Sequence, residues 1–202
     1  GREAARPSLG VARGGVERFD SGVGPQACYH TPTSYLSGWV LGRNMPGSVF
    51  LRGEEVTLHP VEVEDAEYLA SLMNDPEVRQ GIAHSHPMSE GNEREWIESL
   101  GEGHANGLVM LVCVDGEPVG DVGLDSVIER WGKGEIGYLI EPDAWNQGYA
   151  TDAVSTFVDY LFDELRFEKL AARAFETNPA SQRVLEKVGF QHEGTSRGHA
   201  FV

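Results

Sequence analysis

The most informative segment of the chain is GEIGYLIEPDAWNQGYAT, residues 134–151. Its apolar residues predict a strand over Gly134–Ile140, and a short turn then leads into a predicted helix over Thr151–Leu165. At such a helix start, unpaired backbone N–H groups and the positive end of the helix dipole converge. Gly148 would let a phosphate group approach this backbone closely. The turn therefore predicts an anion site, although one glycine before a helix is also typical of an ordinary strand–helix connection.

Residues 178–190, NPASQRVLEKVGF, predict the last helix of the chain. Asn178 ends a predicted strand, and Pro179 suits the first helical position because no backbone donor is needed there. Gly189 suits the left-handed conformation that commonly follows the end of a helix. We therefore expect a helix over Pro179–Val188 whose first turn presents polar side chains.

The other elements alternate in a way that is typical of an α+β or mixed-sheet architecture. In the second of two early helices, we expect Trp96, Ile97 and Leu100 to face inward. The predicted elements are a strand over Val56–His59, a helix that opens at Glu64 and stops at Asn74-Asp75-Pro76, a helix over Ser89–Leu100, a hairpin of Leu108–Val114 and Val119–Val127 around Asp115-Gly116, and a strand over Leu170–Phe175.

Two motifs together carry a family resemblance. Trp-x-x-Gly-Tyr-Ala begins at Trp145, and Asn-x-x-Ser-x-x-x-Leu-Glu-Lys-x-Gly-Phe begins at Asn178, one helix and one strand later. From about Val49 to the C terminus the chain resembles the GNAT acetyltransferase superfamily, and within it the RimJ/RimL-like branch of ribosomal-protein and other α-amino acetyltransferases. The resemblance implies a GNAT fold of class α+β. In that fold a mixed, mostly antiparallel, splayed β-sheet is flanked by helices on both faces and holds acetyl-CoA in its opening.

The resemblance also implies a set of cofactor-binding residues and no metal. The strand edge is expected to pair with the pantetheine arm, the turn to hold the pyrophosphate, and the last helix to flank the thiol end. This agrees with the residue-based interpretation, in which an open strand edge and a group of peptide amides are available. The residues for the pantetheine arm are Tyr138, Leu139 and Ile140, and those for the pyrophosphate are Gln147, Gly148, Tyr149, Ala150 and Thr151. Asn178 is expected at the thiol end, and Arg183 near the cofactor.

Two catalytic residues are predicted. Many family members protonate the CoA thiolate with a tyrosine at the position of Leu185. The resemblance to the RimJ/RimL-like branch implies that Ser181 donates this proton in the present chain. Ser181 would otherwise satisfy a backbone amide in the first helical turn. Glu135 is the leading candidate for the general base, and the alternative is that it is a solvated carboxylate at a strand end. Asp121, on a mostly apolar strand, is the second candidate for the base. Cys113 falls inside an apolar strand, so we expect direct attack in a ternary complex without a covalent acyl-enzyme.

The acceptor is expected to be a primary amine, and the branch resemblance favours a protein or peptide N-terminal α-amino group. Acetyltransferases of aminoglycosides and polyamines share these motifs, so a small-molecule amine remains an alternative. A CoA-binding module without catalysis is a third interpretation, and a homodimer is left open.

Charge divides the chain into two parts. The net charge is -16 over 202 residues, from 16 Lys and Arg against 32 Asp and Glu. Residues 1–44 hold five Arg against three acidic residues and are expected to be a disordered or loosely packed extension, whereas residues 45–202 form the acetyltransferase domain. Family members usually continue beyond the position of Arg197 with a further strand, which we expect here to be absent or truncated.

Composition excludes several classes of function. An acidic surface is repelled by nucleic acid phosphates and by anionic membranes, so neither is expected as a partner. Cys28 and Cys113 are too few and too far apart for a disulfide framework or a cysteine zinc site. No apolar run approaches the ~20 residues needed to span a bilayer, and we expect a cytoplasmic protein. The cations comprise 13 Arg but only three Lys, and together with acids spread along the chain this favours a salt-adapted surface.

Overall fold

The fold is built on one curved sheet, which the computed structural model describes within residues 9–11, 46–100 and 107–198. The strand order is β1-β7-β6-β5-β4-β3-β2, and every neighbouring pair is antiparallel except β6 and β7, which are parallel. The strands are β1 (Leu9–Val11), β2 (Leu51–Arg52), β3 (Thr57–Pro60), β4 (Leu108–Val114), β5 (Glu117–Ile128), β6 (Lys133–Ile140) and β7 (Lys169–Ala172).

Helices cover both faces of this sheet, which confirms the predicted α+β class. One face packs against α4 and α5, where Phe157 and Leu185 meet Val122 and Ile136 in the larger core. The other face packs against α1 and α3 through a smaller cluster that includes Leu111 of β4. The helices are α1 (Ala66–Asn74), α2 (Pro76–Ile82), α3 (Glu90–Ser99), α4 (Tyr149–Asp163) and α5 (Pro179–Val188).

The sheet splays between β6 and β7. The two strands pair from Lys133 with Lys169 to Ile136 with Ala172, and no further pair joins them. Beyond that point β6 continues to Ile140, and its other edge stays paired with β5 over residues 120–125. Among the described residues, no strand covers one backbone edge of residues 137–140, and the predicted opening of the sheet is confirmed.

Helix α2 is a correction to the sequence-based prediction. Asn74-Asp75-Pro76 was expected only to stop a helix, yet it ends α1 and begins α2. The Asp75 side chain accepts hydrogen bonds from the backbone of Glu77 at 2.8 Å and Val78 at 3.1 Å, and Pro76 occupies the first helical position. An aspartate cap followed by proline is a helix start signal as much as a stop signal, so the same residues serve both helices.

The inward face of α3 also differs from the prediction. Ile97 is buried as expected, but Trp96 is 39% exposed, and Glu93 is buried instead with 5% exposure. Residues 93 and 97 are one helical turn apart and share a face, whereas residue 96 is rotated away from residue 97 by about 100°. The core side of α3 thus includes the carboxylate of Glu93, which was not among the residues predicted to face inward.

The chain ends are only partly described. Of the predicted extension, residues 1–44, only strand β1 is described, and it pairs antiparallel with β7. The rest of that prediction, and Cys28, lie outside the described residues. Residues 189–198 form no additional strand, while residues 199–202 lie outside the description. None of the helices in the described part of the chain has the length and apolar character required to cross a membrane.

Candidate functional site

The turn between β6 and α4 exposes a row of backbone donors. Gly148 precedes α4 with φ +94°, and Asn146 also has positive φ, at +62°. Within the described residues no hydrogen bond uses the backbone N–H groups of residues 147–151, as expected for the first turn of a helix. A Cβ atom added to Gly148 would meet no atom within 4 Å, so the space in front of these amides is open. Together with the helix dipole, this geometry is suited to an anion.

Side chains within the turn hold it to the end of β6. The Trp145 indole N–H donates to the carbonyl of Ile140 at 2.6 Å, and the Gln147 amide donates to the carbonyl of Asp143 at 3.0 Å. Tyr149 and Ala150 are half-buried against the core. Gln147 and Trp145 therefore brace the backbone of the turn.

Asp152 fixes the start of α4 to another part of the sheet. Its carboxylate accepts hydrogen bonds from the backbone N–H groups of Glu54 at 2.9 Å, Glu55 at 2.7 Å and Val56 at 2.9 Å. Gly53 lies so close that a Cβ atom there would be 2.5 Å from the Asp152 carboxylate. Sequence reasoning did not find this contact, because the four residues that follow β2 lie about a hundred positions away from α4.

Tyr138, Asn178 and Ser181 come together on the α5 side of the open edge. The Tyr138 hydroxyl lies 2.8 Å from Ser181 Oγ and donates to the Ser181 carbonyl at 3.1 Å. Asn178 caps α5 by accepting from the Ser181 backbone N–H at 3.1 Å, and its amide donates to the carbonyl of Gly81 at 3.3 Å. Burial raises the pKa of Tyr138, and the hydrogen bond with Ser181 opposes that increase. The capping role considered for Ser181 thus belongs to Asn178, while the Ser181 hydroxyl faces Tyr138.

The other predicted cofactor residues differ in what their side chains can contribute. Ile140 is 7% exposed and packs in the core, so only its backbone is accessible at the strand edge. Leu139 points to the opposite face of the sheet from Tyr138, because side chains alternate along a strand. Thr151 is half-buried in the first turn of α4, and Arg183 is exposed on α5 two residues after Ser181.

Glu135 lies on the α1 and α3 face of the sheet, away from Ser181. Its carboxylate forms an ion pair with Arg173, which follows β7, and the Glu135 side chain is 20% exposed. The pair forms because Glu135 lies opposite Ala171 in the parallel ladder. Sequence reasoning missed Arg173, although a cation just after a strand parallel to β6 was a signal that could have found it.

A group of acidic and phenolic side chains lies on the same face of the sheet as Glu135. Burial, together with the charge of Glu93, raises the pKa of Asp121 to about 7. Burial also raises the pKa of Glu93. The pKa of Tyr68 is raised by burial first and then by the charges of Glu141 and Asp121. The Tyr68 hydroxyl oxygen is buried and has no hydrogen-bond partner within the described residues.

An open cleft of about 280 Å³ adjoins Tyr68. Four carboxylates line it and no Lys, Arg or His does, so its charge is suited to a cation. The lining residues are Tyr68, Ser71, Leu72, Asp75, Glu77, Glu141, Pro142 and Asp143. Within the described residues no group of three or more His, Cys, Asp and Glu is placed to hold a metal ion.

Comparison with known proteins identifies relatives over most of the domain. A family model described as an acetyltransferase (GNAT) domain matches residues 55–191. The chain is 30% identical to "Uncharacterized N-acetyltransferase p20" of Bacillus licheniformis over 150 residues, which is 72% of this chain and 84% of that protein. It is also 30% identical to YdaF of Bacillus subtilis, provisionally named a ribosomal N-acetyltransferase, over 74% of this chain and 85% of that one.

Among solved structures, the fold is similar to that of spermidine N-acetyltransferase from Vibrio cholerae in complex with CoA and spermine. The TM-score is 0.69 at 21% identity, and the match covers 73% of this chain and 88% of that chain. At this level of identity the likeness concerns the fold.

Proposed function

The chain belongs to the GNAT acetyltransferase family and is an acetyl-CoA-dependent N-acetyltransferase, and we propose that it acetylates a protein or peptide N-terminal α-amino group by direct attack in a ternary complex. The observation that carries the proposal is the adjacency of two unpaired backbone surfaces on β6 and α4. One is the strand edge at residues 137–140, and the other is the row of N–H groups at residues 147–151.

The residues present fit acetyl-CoA. When bound, acetyl-CoA supplies an acetyl group activated as a thioester. The strand edge offers N–H and C=O groups to an amide-bearing arm, and the amides of residues 147–151 offer donors to phosphates without the use of a lysine. The open space at Gly148 leaves room for the anion, while the Asp152 carboxylate is already bound to the amides of Glu54, Glu55 and Val56.

We propose that Ser181 protonates the leaving sulfur. The Ser181 hydroxyl is held at 2.8 Å from the Tyr138 hydroxyl, and the helix cap at Asn178 fixes its backbone. A hydroxyl positioned in this way can donate a hydrogen bond to the developing thiolate. Asn178 is proposed to flank the thiol end of the cofactor, and Arg183 is proposed to lie near the cofactor. Glu135 stays a prediction for the general base, with Arg173 bound to its carboxylate. Much of the rate is expected to come from holding the amine and the thioester together.

The similarity to YdaF, whose provisional name refers to ribosomal N-acetylation, supports a protein acceptor. A second candidate is a small amine with several positive charges, such as spermidine. The acidic cleft beside Tyr68 favours that candidate, since Asp75, Glu77, Glu141 and Asp143 would attract additional cationic groups. The structure of the Vibrio cholerae relative contains spermine, which is consistent with the same idea.

The test is an acceptor panel. The full chain is incubated with acetyl-CoA and a thiol-reactive dye in the presence of peptides with different N-terminal residues, aminoglycosides and polyamines. Release of thiol with peptides alone supports the proposed acceptor, whereas release with polyamines alone supports the second candidate. Binding of acetyl-CoA by calorimetry without thiol release from any amine would contradict catalysis and favour a CoA-binding module.

A further inference from the structure

The sheet face under α1 and α3 contains a gap beside the open edge of β6. Gly123 of β5 lies directly opposite Gly137 of β6, and the open space is on the Gly137 side, because a Cβ atom on Gly123 would lie 3.1 Å from the Val109 side chain. A Cβ atom on Gly137 would meet no atom within 4 Å. The next pair along the ladder is Asp121 with Leu139, and Leu139 belongs to the segment of β6 that β7 does not cover. The gap therefore lies next to Asp121 at the level of the sheet opening.

Three polar groups on this face of the sheet lack side-chain partners among the described residues, and Asp121 is the half-buried member of the three. The Tyr68 hydroxyl oxygen is buried without a hydrogen bond, and Glu93 is only 5% exposed. Within residues 46–100 and 107–198, no recorded hydrogen bond or ion pair involves the carboxylate of Glu93 or of Asp121. A buried polar group that is left unpaired costs free energy, and these groups come from α1, α3 and β5, which are separate elements. All three offer oxygen lone pairs, so a ligand with several N–H donors satisfies them together.

We propose that Asp121, Glu93 and Tyr68 bind the ammonium group of the acceptor at the glycine gap, and that the Asp121 carboxylate removes the proton which this ammonium must lose before it can attack. The proposal rests on the acetyltransferase function proposed above. A primary ammonium carries three N–H donors, which matches the three oxygen-bearing groups. Its positive charge also offsets the repulsion between two neighbouring carboxylates.

The proton balance of the step is complete. An N–H bond of the ammonium breaks, and its proton passes to the Asp121 carboxylate and later to solvent. The nitrogen lone pair forms the amide bond with the acetyl carbon, the C–S bond breaks, and the sulfur takes the Ser181 hydroxyl proton. The second proton lost by the nitrogen passes to solvent, and a proton from solvent restores the Ser181 hydroxyl. No oxidant, reductant or further co-reactant is needed.

Asp121 differs from Glu135 in its surroundings. The Glu135 carboxylate is already bound by the Arg173 guanidinium, whereas the Asp121 carboxylate has no such partner among the described residues. Burial and the charge of Glu93 raise the pKa of Asp121 to about 7, a value suited to a base that acts near neutral pH. Other ionisable groups face Asp121 from the elements packed around it. They are Tyr68 of α1, Glu93 of α3, His59 of β3, Cys113 of β4, Asp125 of β5, Glu135 of β6, Glu141 after β6, and Arg173, which is paired with Glu135.

The primary test compares Asp121→Asn with Glu135→Gln and with the matched control Asp163→Asn, an exposed residue at the end of α4. The pH dependence of kcat/KM is measured with spermidine and with Ala-Ala-NH2 as acceptors. We expect Asp121→Asn to lower kcat/KM at pH 7 by about 100-fold and to remove the acidic limb of the profile, with the Kd of acetyl-CoA unchanged. Asp163→Asn should match the parent chain. If Asp121→Asn keeps the limb, or Glu135→Gln removes it, the proposal is wrong.

A second measurement separates this site from the proposed function. Calorimetry of spermidine and Ala-Ala-NH2 with the CoA-loaded protein reports amine binding independently of transfer. Glu93→Gln should raise the amine Kd about tenfold while leaving the Kd of acetyl-CoA within twofold, and the control Asp163→Asn should change neither. Amine binding without any acetylation would contradict the proposed function while supporting the site. Failure of both amines to bind the parent chain, or an amine Kd for Glu93→Gln equal to that of the parent chain, would overturn the site itself.

Discussion

The hydroxyl groups of Tyr138 and Ser181 lie 2.8 Å apart, although 43 residues separate them in the chain. Tyr138 belongs to the strand segment that β7 does not cover, and Ser181 lies in the first turn of α5. Tyr138 also donates to the Ser181 carbonyl at 3.1 Å, and either hydroxyl can be the donor in the contact between the two side chains. This arrangement holds the proposed proton donor beside the open edge of β6.

Ser181→Ala is expected to lower kcat 10- to 100-fold, because the leaving sulfur loses its proton donor. The Kd of acetyl-CoA should change less than threefold, since the amides at residues 147–151 are untouched. Steady-state kinetics and calorimetry provide the two readouts, with exposed Ser48→Ala as the matched control. Equal kcat for Ser181→Ala and the parent chain would remove Ser181 from the mechanism.

Gly148→Val is expected to raise the Kd of acetyl-CoA at least tenfold, or ~1.4 kcal/mol. Valine strains a backbone with φ +94° and fills the open space in front of the amides. Gly116→Val is the matched control, because Gly116 also has positive φ, at +83°, with open space around it, but lies in the β4–β5 hairpin turn. Calorimetry of acetyl-CoA binding checks this, and unchanged binding by Gly148→Val would refute the phosphate site.

Asp152→Ala is expected to lower the free energy of unfolding by about 1–3 kcal/mol, because three backbone N–H groups lose a charged acceptor. Gly53→Ala should also destabilise the fold, since its Cβ atom would displace the carboxylate. In the Asp152→Ala variant, Gly53→Ala should lower the free energy of unfolding by less, because the Asp152 carboxylate that its Cβ atom would meet is gone. A double-mutant cycle in urea measures this coupling, and additive effects would show that the two residues do not constrain each other.

The raised pKa of Asp121 predicts a pH-dependent loss of stability. A carboxyl group whose pKa is higher in the folded protein binds more protons in that state, so stability is lost as the pH rises from its ordinary value of 3.8 to about 7. Relative to Asp121→Asn, the parent chain should lose up to about 1.4 kcal/mol of unfolding free energy per pH unit within this window. Urea denaturation of both proteins from pH 4 to pH 8 gives the difference, and a difference that stays constant would contradict a raised pKa.

The excess of acidic residues predicts stabilisation by salt. With a net charge of -16, the folded chain repels itself at low ionic strength, and salt screens that repulsion. The urea midpoint should therefore rise between about 0.05 and 1 M KCl, with NaCl of the same ionic strength giving the same increase. A chain that unfolds no more readily at low ionic strength would contradict the idea of a salt-adapted surface.

Local residue patterns predicted those elements whose ends are marked by caps, proline or glycine. Helix α5 runs over Pro179–Val188 as expected, because Asn178 caps it and Gly189 ends it with φ +102°. Helix α2 was missed because its start signal at Asp75 coincides with the stop of α1. Trp96 is 39% exposed, against prediction, because the buried stripe of α3 runs through Glu93 and Ile97, which are one helical turn apart.

The cofactor side of the candidate site follows from backbone chemistry that is encoded locally. A strand, a turn with Gly148 and a helix start form wherever those residues occur in that order, since their hydrogen bonds and dihedral angles involve near neighbours. The family resemblance rests on the same local motifs. For this reason residues 134–151 and 178–190 were sufficient to indicate the acetyltransferase family.

The acceptor side depends on contacts between distant parts of the chain. A shift of a single residue in strand register moves a side chain from the α1 face of the sheet to the α4 face. The sequence therefore does not predict the pairing of Asp121 with Leu139, which the assembled sheet shows. The ion pair of Glu135 with Arg173, the position of Glu93 and the unpartnered hydroxyl of Tyr68 likewise arise only when separate elements pack together. Burial and neighbouring charge are properties of that packing, which is why the motifs identify the enzyme family but only the assembled sheet reveals the carboxylate with a pKa of about 7.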